Sequence, residues 1–157
     1  MKEKIPGNEE IELGKAYLKE KNYPEALKYF KKAFSFYQDN PNQTPGVLLS
    51  SYGYARAIGE KNVSEGIAFC KKGLMRKDQA PEHYLYLAEL YLMSRRKREA
   101  YKTIETGLKM FKNHSRLSET LREFGVRKKP IVSLLDRSHP VNKVIGKIVR
   151  EPVGKRK

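Results

Sequence analysis

One pattern of small and large apolar positions recurs three times along the chain. Its clearest copy is made of Leu13, Gly14, Tyr17, Ala26, Phe30 and Ala33. A second copy follows 40 residues later, and a third follows 34 residues after that. Residues three or four apart share one face of a helix, so each copy predicts two helices joined by a turn. Such a hairpin has an apolar face that it cannot bury alone, and it must stack on the next hairpin.

The second copy departs from this pattern in its first helix. Gly53, Tyr54 and Ala57 stand where the first copy has Leu, Gly and Tyr, as if the large residue were displaced by one position. The spacing of 40 rather than 34 also implies six extra residues between copies one and two. Residues 39–45 are the expected insertion, because they contain two prolines, which end one helix and can open the next.

Helix signals predict seven helices, and three polar residues are placed at helix N-termini. Asn8, Thr44 and Ser64 each precede a helical stretch and have side chains that can accept a hydrogen bond from the first turn. Cys70 takes the position of Phe30 in the repeat, so we expect a buried thiol. The predicted helices cover residues 9–19, 24–37, 45–58, 65–75, 81–94, 98–111 and 115–123.

The three copies together resemble the tetratricopeptide repeat family, whose unit is a helix–turn–helix of 34 residues. The resemblance covers residues 8–111 and implies an all-α solenoid, in which three hairpins form a right-handed superhelix closed by a capping helix. An ordinary helical bundle is the alternative. The expected parts of a domain at residues 8–124 are repeats at about 8–40, 45–78 and 81–113 and a capping helix at 115–124.

The resemblance also implies a function, which is binding a peptide or helix of another protein on the concave surface. In this family the first helix of each hairpin lines that surface. Carried over position by position, the candidates are Asn8, Ile11, Lys15, Leu18, Lys19, Leu48, Ser51, Ala55, Ile58, Glu82, Leu85, Glu89 and Leu92. The apolar members suit an amphipathic helix or an extended apolar segment. The alternative is that the leucines among them are packing between repeats.

Some family members grip the C-terminal carboxylate of a chaperone tail with basic and amide side chains at two of these positions. Here Ile11 and Lys15 stand at those positions in the first hairpin, and Leu85 and Glu89 in the third. Only Lys15 is a donor, and Glu89 would repel a carboxylate. We therefore expect weak or no binding of free acidic C-termini.

Positive charge is concentrated at the C-terminal end. The chain has a net charge of +15, and residues 109–157 carry 14 basic and 4 acidic residues. We expect residues 125–157 to form a basic extension with a short amphipathic helix near 140–150, whose apolar stripe docks on the chain's own groove, on a second copy or on a partner. Its candidate basic patch consists of Arg127, Lys128, Lys129, Lys143, Lys147 and Arg150.

This charge makes nucleic-acid or ribonucleoprotein binding through the tail the rival function. Residues 125–157 contain no Phe, Tyr or Trp, so base stacking is not expected there. Peripheral attraction to an anionic membrane is a third option.

Catalysis, metal binding and cofactor binding are not expected. Ser133, Asp136 and His139 have the residue types of a hydrolytic triad, but they lie together on a predicted turn, where turn polarity explains them. The histidines are scattered, and no glycine-rich phosphate loop occurs. The single cysteine excludes an internal disulfide, and no apolar run is long enough to span a membrane, so we expect a cytoplasmic protein.

Overall fold

The computed structural model describes residues 5–123, which form seven α-helices and one short 3₁₀ turn. Helices α1 and α2, α3 and α4, and α5 and α6 pair as hairpins, each hairpin packs on the next, and α7 packs on α5 and α6. The predicted all-α hairpin fold is confirmed, while the basic extension lies outside the described residues. The bounds are α1 Asn8–Lys19, α2 Tyr23–Ser35, the 3₁₀ turn Pro41–Gln43, α3 Gly46–Gly59, α4 Val63–Leu74, α5 Pro81–Met93, α6 Lys97–Met110 and α7 Ser115–Glu123.

The turn inside each hairpin is built around one basic residue with a left-handed backbone. Lys21, Lys61 and Arg95 have φ angles of 60°, 56° and 58°. They stand at equivalent repeat positions, and each side chain is exposed. A left-handed residue ends a helix by turning the chain sharply. The same backbone conformation therefore sets the return of all three hairpins.

Asn22 and Asn62, which directly follow the left-handed residues of the first two turns, cap α2 and α4. The side chains of Asn22 and Asn62 accept hydrogen bonds from the backbone N–H of Glu25 and Glu65, at 3.4 and 3.3 Å. The predicted cap by Ser64 is wrong, because Ser64 lies inside α4 and its hydroxyl donates to Asn62 instead.

The other two predicted caps are also wrong. Asn8 is the first residue of α1, and the position before it is Gly7, with φ of 69° and no side chain to accept a bond. Thr44 is buried in the loop before Pro45, and α3 begins at Gly46 with no cap from its own loop.

The small residue at the close contact in the first helix of the second hairpin lies one position earlier than the uniform shift of 40 predicts. Gly14 packs against the ring of Phe30, so that an added Cβ would overlap it. Gly53 has the same role against α4, since a Cβ there would lie 2.5 Å from Cβ of Phe69 and 2.8 Å from the carbonyl oxygen of Gly66. Gly53 rather than Tyr54 therefore takes the close-contact role that Gly14 has in the first hairpin.

Two clusters of buried side chains run through the hairpins. One joins the first and second hairpins, and the other joins the second and third hairpins with α7. Tyr54 and Tyr86 pack against both clusters. The buried thiol of Cys70 is confirmed: the residue is 0% exposed, its Sγ donates to the carbonyl oxygen of Ser50 at 3.5 Å, and burial raises its pKa to about 12.

Among the helices of residues 5–123, none combines the length and the apolar character that crossing a bilayer requires.

Candidate partner-binding surface

The first helices of the three hairpins, α1, α3 and α5, lie side by side and bury many of the residues predicted to line a groove. Ile11 and Leu18 of α1 share one buried cluster with Leu48 and Ala55 of α3. Leu85 of α5 is likewise only 1% exposed. Neighbouring helices cover these side chains, so they offer no surface to a partner. Leu18, Leu48 and Leu85 therefore pack between repeats, as the alternative interpretation expects.

The predicted surface residues therefore fall into three groups by exposure. Exposed residues are Asn8 and Lys19. Partly buried residues are Lys15, Ile58, Glu82, Glu89 and Leu92. Buried residues are Ile11, Leu18, Leu48, Ser51, Ala55 and Leu85.

Tyr54 is a central residue of this surface that the repeat spacing did not indicate. With Gly53 as the counterpart of Gly14, Tyr54 takes the position that Lys15 has in α1 and Glu89 has in α5. Its hydroxyl donates a hydrogen bond of 2.6 Å to Oε2 of Glu89. Aligning the second copy on its glycine instead of on a uniform shift of 40 residues would have found it.

Tyr86 stacks on Tyr54 and completes an aromatic pair between α3 and α5. The ring centroids are 4.5 Å apart and the planes differ by 21°. Burial, and then the hydrogen bond to Glu89, raise the pKa of Tyr54 far above its ordinary value. Burial raises the pKa of Tyr86 to about 12, with Glu82 adding to the rise and Arg116 opposing it. Both hydroxyls are therefore protonated near neutral pH.

The α5 side of this surface is acidic. Glu82, Tyr86 and Glu89 follow at spacings of four and three, which places them on one face of α5. Helix α5 contains no Lys or Arg, and within residues 5–123 neither carboxylate forms an ion pair with a Lys, Arg or His. We call the accessible set the A-helix face, made of Asn8, Lys15, Lys19, Tyr54, Ile58, Glu82, Tyr86 and Glu89.

The α1 side of the A-helix face has two lysines, Lys15 and Lys19, of which Lys15 forms an ion pair. Lys15 Nζ lies 3.0 Å from a carboxylate oxygen of Glu12, one turn earlier. Lys15 is the only basic residue at the four positions that a carboxylate clamp would use, and its ion pair with Glu12 already occupies it. Since Ile11 and Leu85 are buried and Glu89 is acidic, the described residues provide no clamp at those positions.

Comparison with known proteins identifies the repeat. The sequence model of the tetratricopeptide repeat family matches residues 11–40, which include most of α1 and all of α2. The chain carries a tetratricopeptide repeat. The family prediction made from the spacing of small and large residues is confirmed. Among curated proteins, no sequence matches the chain.

Two solved tetratricopeptide repeat domains are similar to this chain in structure. The first tetratricopeptide repeat of Spaghetti (RPAP3), bound to the HSP90 peptide SRMEEVD, superposes with a TM-score of 0.61 at 19% sequence identity, over 76% of this chain and 93% of that one. The first tetratricopeptide repeat domain of human RPAP3 gives a TM-score of 0.62 at 19% identity, over 76% of this chain and 90% of that one. This likeness establishes the tetratricopeptide repeat domain fold.

Proposed function

We propose that this protein is an interaction module that binds a segment of a partner protein on the A-helix face. The role is binding and not catalysis. The tetratricopeptide repeat fold supports it, and the similar Spaghetti domain was solved with a peptide bound. The observation that carries the proposal is the hydrogen bond from Tyr54 to Glu89 beside the stacked ring of Tyr86. It holds an aromatic surface and a carboxylate in one fixed arrangement on that face.

The partner segment differs in charge from the peptide bound by the Spaghetti domain. An acidic C-terminus would meet the carboxylate of Glu89, while Lys15 already pairs with Glu12 and Lys19 lies at the far end of α1. Like charges at short range disfavour such a complex. We expect no measurable binding of SRMEEVD by calorimetry, and a micromolar dissociation constant would contradict this part of the proposal.

A segment with Lys or Arg fits the same surface. Glu82 and Glu89 have no basic partner among the described residues, and a cation between them would also lie near the rings of Tyr54 and Tyr86. Cation–π and ion-pair contacts would then add. The chain as a whole has a charge of +15 and repels basic peptides, so their binding requires a local acidic site.

The test is selection of short random peptides displayed on phage against the full chain, followed by calorimetry of the selected peptides. We expect one class to be enriched in Lys and Arg. Glu89→Gln keeps an acceptor for the Tyr54 hydroxyl but removes the charge, and it should weaken this class about tenfold. Glu105→Gln removes the same charge from the exposed surface of α6 and is the matched control.

Two outcomes separate the parts of the proposal. Selected peptides that are insensitive to Glu89→Gln but lose binding with Tyr54→Ala would leave the A-helix face as the site and overturn the basic partner. Peptides insensitive to both variants would overturn the site itself. The predicted basic patch from Arg127 to Arg150, and with it the nucleic-acid alternative, lies outside the described residues and stays a prediction.

A further inference from the structure

A second surface, distinct from the A-helix face, lies between α2 and α4. It is an open groove of about 590 Å³. Its floor includes Leu49 of α3, which lies five residues before Tyr54 and so about 140° away around the same helix. The groove therefore lies on another side of the domain. Its lining also includes Phe34, Tyr37, Phe69, Lys72, Met75 and Arg76.

We propose that this groove docks an acidic segment of a partner protein, with one large apolar side chain lying against Phe34 and Phe69, whose rings touch edge to face with centroids 6.5 Å apart, and a carboxylate at Lys72. This inference is independent of the proposed function of the A-helix face. It makes the protein an adaptor with two docking surfaces of opposite charge preference.

The apolar floor of the groove is fixed in advance. Phe34, Tyr52 and Phe69 pack edge to face, with centroids 5.0 Å apart for Phe34 and Tyr52 and 5.1 Å apart for Tyr52 and Phe69. Their interplanar angles are 73° and 84°. Rings held by one another need little ordering when a ligand binds, and this lowers the entropic cost of association.

The wall of the groove is also fixed, and it comes from the insertion between the first two repeats. Arg76, just after the end of α4, donates to the backbone carbonyl oxygen of Asn42 at 2.7 Å and to that of Pro41 at 3.1 Å. These bonds hold the 3₁₀ turn against the second hairpin. The insertion that makes the first repeat junction irregular thus builds one side of a binding groove.

The rim of the groove is basic. Lys72 is exposed, with Nζ 5.6 Å from the ring centroid of Phe69, and neither Lys72 nor Arg76 pairs with a carboxylate within residues 5–123. Burial raises the pKa of Tyr37, and the negative charge of Asp78 adds a smaller rise. The Asp78 carboxylate does not neutralise the rim, because it accepts hydrogen bonds from the N–H groups of Gly46 and Val47. Since the guanidinium of Arg76 is occupied by the carbonyl oxygens of Asn42 and Pro41, an acidic segment would meet the ammonium group of Lys72 without a competing carboxylate.

The two helices that flank the groove have the same sign of charge as its rim. Helices α2 and α4 together contain five Lys against two Glu. Both glutamates lie in first helical turns, whereas Lys71 and Lys72 lie in the last turn of α4. This excess of basic residues attracts an anionic partner.

An acidic peptide fits this groove better than a single-stranded nucleic acid. A base stacks on an open ring face, but the rings of Phe34, Tyr52 and Phe69 use their edges and faces for one another, and Lys72 lies over Phe69. Met75, 84% exposed at the rim, adds a flexible apolar contact of the kind that adapts to different partner side chains.

The test uses the same displayed random peptides and the full chain. We expect a second selected class with Asp or Glu next to Phe, Leu, Ile or Trp. The double variant Lys72→Glu and Met75→Glu should weaken this class more than about tenfold without lowering the melting temperature, since both side chains are exposed. The control is Lys31→Glu with Met110→Glu, which makes the same charge change on α2 and α6. Lys31 lines a separate hollow of about 490 Å³.

If the two double variants weaken binding of the acidic peptides equally, the net charge of the protein alone attracts them, and the groove is not their binding site. The proposal is also wrong if the selection does not enrich acidic apolar peptides. If instead a labelled single-stranded oligonucleotide binds with the same sensitivity to Lys72→Glu and Met75→Glu, and the peptides do not, the occupant is a nucleic acid and the proposal is wrong. Glu89→Gln should leave the acidic class unchanged, so the groove and the A-helix face are judged separately.

Discussion

The carboxylate of Asp78 accepts a hydrogen bond of 2.9 Å from the backbone N–H of Gly46, which lies 32 residues earlier in the chain. Its second oxygen accepts from the N–H of Val47 at 3.2 Å. Helix α3 is thus capped from the loop between the second and third hairpins, because Pro45 at its own N-terminus has no side-chain acceptor. The backbone carbonyl of Asp78 also lies 2.8 Å from Nε2 of His83 on α5. One residue therefore connects α3 with α5.

Replacement of Asp78 should destabilise the whole array. Asp78→Ala leaves two N–H groups of α3 without an acceptor and should lower the free energy of unfolding by about 1–2 kcal/mol, as loss of a helix cap does. Urea denaturation measures this change. Asp39→Ala removes an exposed aspartate from the loop after α2 and should change stability by less than about 0.5 kcal/mol. Equal stability of the two variants would show that the cap is not formed in solution.

Gly53 tests the close approach of α3 and α4. In an open helix, Gly→Ala stabilises by roughly 0.5–1 kcal/mol. At Gly53 the new Cβ meets Cβ of Phe69 and the backbone of Gly66, so Gly53→Ala should instead destabilise by about 1–3 kcal/mol. Ala68→Gly on the exposed side of α4 is the control and should cost about 1 kcal/mol. A stabilised Gly53→Ala protein would disprove the packing of Gly53 against α4 and, with it, the register of α3.

Ile11 tests whether the row of apolar residues on α1 is core or surface. At 1% exposure, Ile11→Asp buries a carboxylate and should cost at least about 3 kcal/mol, seen as a large fall in melting temperature by circular dichroism. The exposed Lys19→Asp on the same helix should change stability by only a few tenths of a kcal/mol. If Ile11→Asp folds normally and loses only partner binding, the side chain belongs to an accessible groove.

Cys70 predicts a loss of stability at alkaline pH. In the unfolded chain the thiol releases its proton near pH 9.0, whereas burial raises its pKa in the folded protein to about 12. Above pH 9 the unfolded state therefore binds fewer protons than the folded state, and stability falls as pH rises. The contribution of the buried thiol to the free energy of unfolding is fully present below pH 9 and is lost as the pH rises towards 12. Tyr86 acts in the same direction from about pH 10.

The measurement is the free energy of unfolding by urea at several pH values from about 8 to 10. The free energy of unfolding of Cys70→Ala should fall less steeply with rising pH than that of the unaltered protein, because the variant lacks the titrating thiol. A thiol reagent should also react with Cys70 only after unfolding, as expected for a residue that is 0% exposed. Rapid labelling of the folded protein would contradict the buried position.

Local sequence patterns were enough to specify the hairpins, because helices and turns follow from interactions within a few residues. Apolar spacing located all seven helices, and the bounds of α7 and the end of α1 agree with the prediction. The position of Cys70 in the repeat also predicted its burial correctly. These features depend on local periodicity, which the chain shows directly.

Which residues remain accessible, and which groups meet across hairpins, depended on the packing of the hairpins in three dimensions. Helical spacing identifies an apolar face on α1 but does not tell whether α3 covers Ile11. Tyr54 lies beside Glu89, at a place where the repeat spacing predicted Ala55. The cap of α3 by Asp78 likewise joins residues far apart in the chain. Contacts of this kind depend on how the hairpins stack, and no local pattern specifies that.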